Sequence, residues 1–126
     1  MPSSSHAMNL PDLDTIRAFF AADRFAAASG ITLLKADEDE VACAMPITPG
    51  HLNAGGGVQG GAIFTLADFT FAIHANLPLF CGEAKGITVA QSNTISFLAA
   101  PKGDRLIARS ACLSRGRNVS VFRISV

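Results

Sequence analysis

From Gly60 to Asn76 the chain runs GGAIFTLADFTFAIHAN. Its length and residue types predict a helix, opened by a glycine pair and closed ahead of Pro78. Ala62, Ile63, Phe64, Leu66, Ala67, Phe69, Phe71, Ala72, Ile73 and Ala75 occupy all sides of its helical wheel. A helix apolar all round is enclosed by protein rather than lying on a surface. At ~1.5 Å per residue it spans about one domain diameter. An antiparallel sheet curled around this helix satisfies both facts, so the expected class is α+β.

On the N-terminal side, HLNAGGGVQ forms a glycine-rich loop that leads into the helix. Before it, the runs ITLLKA and EVACAMPI read as two strands, with the acidic tetrad Asp37-Glu38-Asp39-Glu40 as a solvated turn between them. Val41, Cys43 and Met45 alternate with Ala42 and Ala44, which predicts one face in and one face out. Earlier still, DLDTIRAFFAADRFAAASG is helical, capped by Asp12 or Asp14, interrupted near Ala21–Asp23 and ended by Gly30. On the C-terminal side three β segments are predicted, about Ile87–Leu98, Arg105–Leu113 and Val119–Val126. Residues 101–104 and 115–118 turn between them. The order is helix, two strands, long helix, three strands.

Composition sets the outer bounds. A chain of 126 residues supports one domain, assigned here to residues 11–126. Residues 1–10 read as a flexible N-terminal segment of the kind an expression vector contributes, and His6 has no role in it. A formal net charge of zero excludes nucleic acid as the main partner. No run is expected to reach the ~20 apolar residues of a bilayer span, and no signal peptide is evident, so the expected site is cytoplasmic with no membrane partner. Cys43, Cys81 and Cys112 lack metal or redox spacing and are read as reduced thiols. No metal site is expected.

Two features carry chemistry. Asp68 stands in the middle of the apolar helix, with no Lys or Arg on the same element. An ionised carboxylate there is costly unless it is paired. It is either a structural residue bonded to a backbone amide or to Thr65, or a carboxylate held for a reaction. The second feature is the helix start. The first amides of a helix lack intrahelical acceptors, and Gly60 lets a ligand oxygen approach closely. The helix dipole favours negative charge there. One such donor to an acyl-transfer oxyanion is worth ~3 kcal/mol.

The run HLNAGGGVQGGAIFTLADFTFAIHAN resembles the signature of the phenylacetate-pathway (PaaI-like) branch of hotdog acyl-CoA thioesterases, approximately H-x-N-x-x-G-x-x-H-G-G-x-I-F-T-L-A-D followed by a small-residue helix and Asn. The resemblance extends from about Asp23 to the end of the chain. It implies the hotdog fold, one long helix wrapped by an antiparallel sheet, and hydrolysis of acyl-CoA. By that resemblance Asp68 is the catalytic carboxylate, Gly60 supplies the amide that polarises the thioester carbonyl, and Asn53 places substrate or water. Gln59, Gly61, Thr88 and His51 fall at substrate-binding positions, His51 more as a loop brace than as a reactant. No cofactor is implied, because coenzyme A belongs to the substrate. Gln59 departs from the family, which has His there. Glutamine hydrogen-bonds but does not titrate near neutrality, and a thiolate leaving group needs little acid help.

Gly60 and Asp68 are eight residues apart, about 12 Å along a helix, too far for one thioester carbon to touch both. The family solves this with a two-fold dimer, so a homodimer that pairs again into a homotetramer is expected. Whether Asp68 attacks the carbon or deprotonates water stays open. Two other classes remain: a non-catalytic acyl-thioester-binding protein, and a hotdog dehydratase or hydratase. The second lacks its motif here, because PGHL is not followed by a second PG and Asp68 and His74 have the wrong spacing. The substrate is expected to be apolar or aryl, since Ile63, Phe64, Leu66 and Phe71 offer apolar walls.

VSVFRISV alternates cleanly and ends without a turn or polar stop, and the resembling family places a further strand after it. The natural protein is therefore expected to continue about 10 to 20 residues past Val126, enough for a turn and one strand. The mass of the full-length gene product checks this. A soluble product ending at Val126, with that strand paired on both sides, would refute it.

Overall fold

A computed structural model of the chain describes residues 8–126, and the expectation for His6 lies outside them. Two short helices come first, α1 over Leu13–Phe20 and α2 over Arg24–Ala28. Asp12 caps α1 by accepting from the Thr15 N–H at 2.9 Å, and Asp23 caps α2 by accepting from the Ala26 N–H at 3.0 Å. The break between them falls where the sequence placed it. Strands β1 (Thr32–Ala36) and β2 (Val41–Pro46) form an antiparallel hairpin. At its tip the Asp37 carboxylate accepts from the Asp39 and Glu40 amides, while Lys35 pairs with Glu40 at 3.1 Å. The tetrad is thus a side-chain-stabilised turn. Met8 and Leu10, expected within a flexible segment, pack against the core.

Helix α3 occupies Gly60–Asn76, as the sequence predicts, and a 3₁₀ turn over Leu77–Cys81 continues it. Together they form a 22-residue stretch, long and apolar enough by length and composition to cross a bilayer. This corrects the expectation that no stretch reaches that length. The sheet packs along it here, burying Leu66, Phe69 and Ile73 in the same cluster as Ile16, Leu33, Val41, Cys43, Met45 and Leu106. Strands β3 (Arg105–Arg115) and β4 (Ser120–Ser125) complete an antiparallel sheet of order β1-β2-β3-β4. One long helix packed against an antiparallel sheet is the α+β hotdog arrangement.

Two expectations need correction. Ala42 and Ala44 are buried along with Val41, Cys43 and Met45, so β2 is covered on both faces. Ala42 lies in register between Lys35 of β1 and Arg109 of β3. Long stems of that kind cover a small neighbour while keeping their charged heads in water. The larger correction concerns residues 87–98, which form no ladder with any strand. The segment is exposed along its whole length and anchored near its start. Asn76, on the last turn of α3, accepts from the Thr88 N–H at 2.7 Å and donates to the Thr88 carbonyl at 3.1 Å. Alternating apolar residues gave it a strand signature, but pairing needs a neighbour at ~4.8 Å. A trough of about 840 Å³ separates it from β4 instead.

His74 ties the helix to the sheet. It is fully buried, its Nδ1 bonded to the Ser110 hydroxyl at 3.0 Å and its Nε2 to the Glu38 carbonyl at 2.9 Å. Burial lowers its pKa, and Arg115 adds to that; the Glu38 carbonyl, Ser110 and Asp37 oppose it. The folded chain therefore holds the neutral ring, while the unfolded chain titrates near 6.5. Below that value the unfolded state binds more protons, so stability falls as pH falls. Thermal unfolding from pH 7.5 to 5 should show this loss. His74→Gln should flatten the dependence, and an equally steep profile in the variant would refute the assignment.

Candidate active site

The loop ahead of α3 is built from its own side chains. Asn53 Oδ1 accepts from the Gly55 and Gly57 amides at 2.9 and 3.1 Å, and the Asn53 N–H donates to the Gly57 carbonyl at 2.7 Å. Gly56 sits at φ +85°, a conformation that glycine alone adopts without strain. His51 braces the loop from behind. Its Nδ1 accepts from the Thr48 N–H at 3.1 Å, which leaves Nε2 to donate to the Ser29 carbonyl at 2.9 Å. The Gln59 N–H donates to the His51 carbonyl at 2.7 Å, and the Gln59 carbonyl accepts from Ala62 and Ile63. Gln59 is the N-cap residue, and its side chain caps nothing.

These bonds leave the Gly60 and Gly61 amides without a backbone acceptor. They point from the start of a 17-residue helix, where the dipole adds partial positive charge. A Cβ built on Gly60 would meet the Phe97 ring at 3.1 Å, so a side chain at position 60 needs that ring to give way.

Asp68 faces the trough. Its side chain reaches solvent rather than being enclosed, and it makes neither of the structural bonds the sequence allowed. Thr65 donates its hydroxyl to the Gly61 carbonyl at 2.7 Å instead. The protein around the carboxyl still desolvates it enough to raise its pKa above the ordinary aspartate value, and the Asp23 carboxylate raises it further. Ile63, Phe64 and Phe71 share the trough wall with Asp68. Leu66, expected on that wall, is fully buried in the core on another face of the helix.

Within one chain the expected residues fall into separate groups. His51, Asn53, Gln59, Gly60 and Gly61 cluster at the helix start. Asp68 lies two turns along, and Thr88 is held beside Asn76 a further two turns on. Asn76 and Phe97 were not singled out from the sequence. Asn76 closes the motif but carries no spacing that reveals its partner. Phe97 lies on a segment whose strand signature hides its contact with Gly60. Among the described residues no cluster of three His, Cys, Asp or Glu side chains could hold a metal. All three cysteines are free, and burial pushes the Cys43 thiol up to about 11.

Comparison with known proteins matches this geometry to a family. The thioesterase superfamily pattern covers residues 55–126. A Deinococcus radiodurans protein carrying an unconfirmed esterase name is 35% identical over 102 residues, 81% of this chain and 66% of that protein. The acyl-coenzyme A thioesterase PaaI of Escherichia coli K12 is 32% identical over 111 residues, 86% of this chain and 74% of that protein. Its solved structure superposes with a TM-score of 0.74 at 31% identity, over 86% of this chain and 75% of that one. The phenylacetic acid degradation protein PaaI of Thermus thermophilus, solved as a point mutant, gives 0.71 at 26% identity, over 81% and 84%. With that pattern over more than half of the chain and these relatives, the chain belongs to the thioesterase superfamily as a PaaI-like hotdog protein.

Proposed function

We propose that this protein hydrolyses acyl-CoA thioesters, with Asp68 as the reacting carboxylate and the Gly60 N–H as the donor to the thioester carbonyl. The observation that carries the reading is an unpartnered carboxylate of raised pKa on an apolar trough, in the same fold as two unused helix N-terminal amides. The carbonyl oxygen accepts from Gly60, and its developing negative charge is stabilised there. The Asn53 Oδ1 is spent on the glycine loop, so its amide NH₂ is the part left to orient substrate or water. Gly61 and Gln59 border the carbonyl site, and the free hydroxyl of Thr88 offers a further substrate contact.

Two balanced routes use Asp68. As general base it takes a proton from water, whose oxygen bonds to the carbonyl carbon; the C–S bond breaks and coenzyme A leaves as a thiolate. As nucleophile its oxygen displaces the thiolate, giving an anhydride that water opens. Single turnover in ¹⁸O-labelled water separates them, because only the second route labels the enzyme. A raised pKa suits either route, since it makes the carboxylate more basic. The route needs no resident cofactor, and a cytoplasmic setting supplies the substrate.

The ~12 Å between Gly60 and Asp68 on one helix is too far for one thioester carbon to touch both, which supports an active form built from two chains. In that reading the protein is a homodimer, pairing further into a tetramer, and Asp68 of one protomer meets Gly60 and Asn53 of the other. Ile87, Val89, Ile95 and Leu98 are exposed apolar residues that such an interface would cover.

Asp68→Asn should lower thiol release by ~10²–10⁴ with the fold intact. A carboxyl whose folded pKa is raised costs stability when ionised, so the variant should melt no lower than wild type near neutrality. Near wild-type turnover would make Asp68 structural. In the wild type, kcat/KM should fall with decreasing pH through a value above the ordinary aspartate range. Mixing Asp68→Asn with Gly60→Pro/Phe97→Ala, in which proline removes the N–H at a helix position that tolerates it and the second change makes room for its ring, should restore activity through hybrid dimers. Absence of restoration in verified hybrids would place both groups in one chain.

A further inference from the structure

We infer that Asn76 is a positioning residue for the proposed reaction: it sets the register in which residues 87–98 run alongside α3 and so brings Ser92 and Asn93 level with Asp68. This rests on the reading of Asp68 as the reacting carboxylate. Asn76 is buried on the last turn of α3. Its side-chain amide accepts from the Thr88 N–H at 2.7 Å and donates to the Thr88 carbonyl at 3.1 Å. One residue of a neighbouring strand makes the same exchange in an antiparallel hydrogen-bonded pair. A grip on both main-chain groups of a single residue fixes which residue sits there. A slip by one would send the following side chains to opposite faces.

The segment meets the helix again at the other end. The Phe97 ring lies against Gly60, where a built Cβ would come within 3.1 Å of it. Gly60 and Asn76 are the first and last residues of α3, about 24 Å apart along its axis. The chain from Thr88 to Phe97 reaches about 30 Å at full stretch. It therefore runs close to straight, antiparallel to the helix. Asp68 is the midpoint of α3, and the midpoint of residues 88–97 falls between Ser92 and Asn93. Those two residues border the same trough as Asp68. Both pins lie within one chain, so a strand or a second copy added alongside leaves that level unchanged. Ser92 and Asn93 bring a hydroxyl and an amide to the level of the carboxylate, groups able to orient water or a thioester there. A one-residue slip exchanges which of the two is presented to it.

The experiment measures thiol release from octanoyl-CoA together with hydrogen exchange. Asn76→Ala should lower kcat by ~10–10²-fold and speed exchange of the amides in residues 88–97, while those in residues 64–74 stay protected. Ser92→Ala/Asn93→Ala should lower kcat similarly, and adding Asn76→Ala to it should cost little more, because the clamp acts through those side chains. Should Asn76→Ala fail to fold, Thr88→Pro, which deletes the N–H that Asn76 accepts, takes its place. Additive losses, an unchanged kcat, or faster exchange spreading through α3 overturns the inference. So does a loss that vanishes at protein concentrations where sedimentation shows wild-type assembly, since Asn76 would then serve association alone. Absent thiol release in the wild type counts against the hydrolysis reading instead. Affinity for a non-hydrolysable thioether analogue of octanoyl-CoA then replaces kcat, with the same non-additivity expected.

Discussion

A helix of 17 residues with no polar face cannot rest against water, and that constraint organises the whole molecule. Leu66, Phe69, Ile73 and the following Leu77 are taken out of solvent by β2, β3 and the hairpin partner β1, with α1 closing one end through the edge-to-face pairs Phe20–Phe69 and Phe19–Phe80. Each buried side chain of this size contributes about 1.5–3 kcal/mol, so enclosing the helix outweighs any preference of the surrounding segments. Asp68 faces the trough between α3, β4 and residues 92–101.

Every other polar side chain on that helix is satisfied locally. Thr65 donates to Gly61, Thr70 donates to the Leu66 carbonyl at 2.7 Å, His74 joins Ser110 to Glu38, and Asn76 uses both ends of its amide on Ala72 and Thr88. No buried side-chain nitrogen or oxygen among the described residues lacks a partner. Against that background Asp68 stands apart: partly desolvated, facing open space and bonded to nothing. Asp12, Asp23 and Asp37, by contrast, accept from backbone amides.

The helix and both hairpins were legible because each is specified locally. The apolar wheel fixes α3, Gly60 and Pro78 bracket it, and alternation with turn chemistry fixes β1 with β2 and β3 with β4. What escaped was everything set by distant neighbours. Alternation in ITVAQSNTISF signals a strand but cannot supply the partner that would pair it. The covering of Ala42 depends on Lys35 and Arg109 from two other strands. The exposure of Asp68 depends on which flank the sheet leaves open. For the site, the glycine loop and Asp68 could be named from the sequence. The contact of Phe97 with Gly60, far away along the chain, and the clamp of Asn76 on Thr88 could not.

Gln59 shows how the local chemistry fits together. A histidine at this position could donate a proton to a leaving group, but a thiolate leaves unaided near neutrality because its reference pKa is about 8.5. Under the proposed hydrolysis, the demand at the helix start is for oriented donors rather than for an acid. Those donors are held by bonds that do not involve the Gln59 side chain: Asn53 fixes the glycine loop, His51 ties it to the Ser29 carbonyl, and the Gln59 backbone links the loop to the helix. The residue that differs from the resembling family is thus the one whose side chain the loop does not use. Its amide can therefore turn without disturbing the bonds that hold the loop.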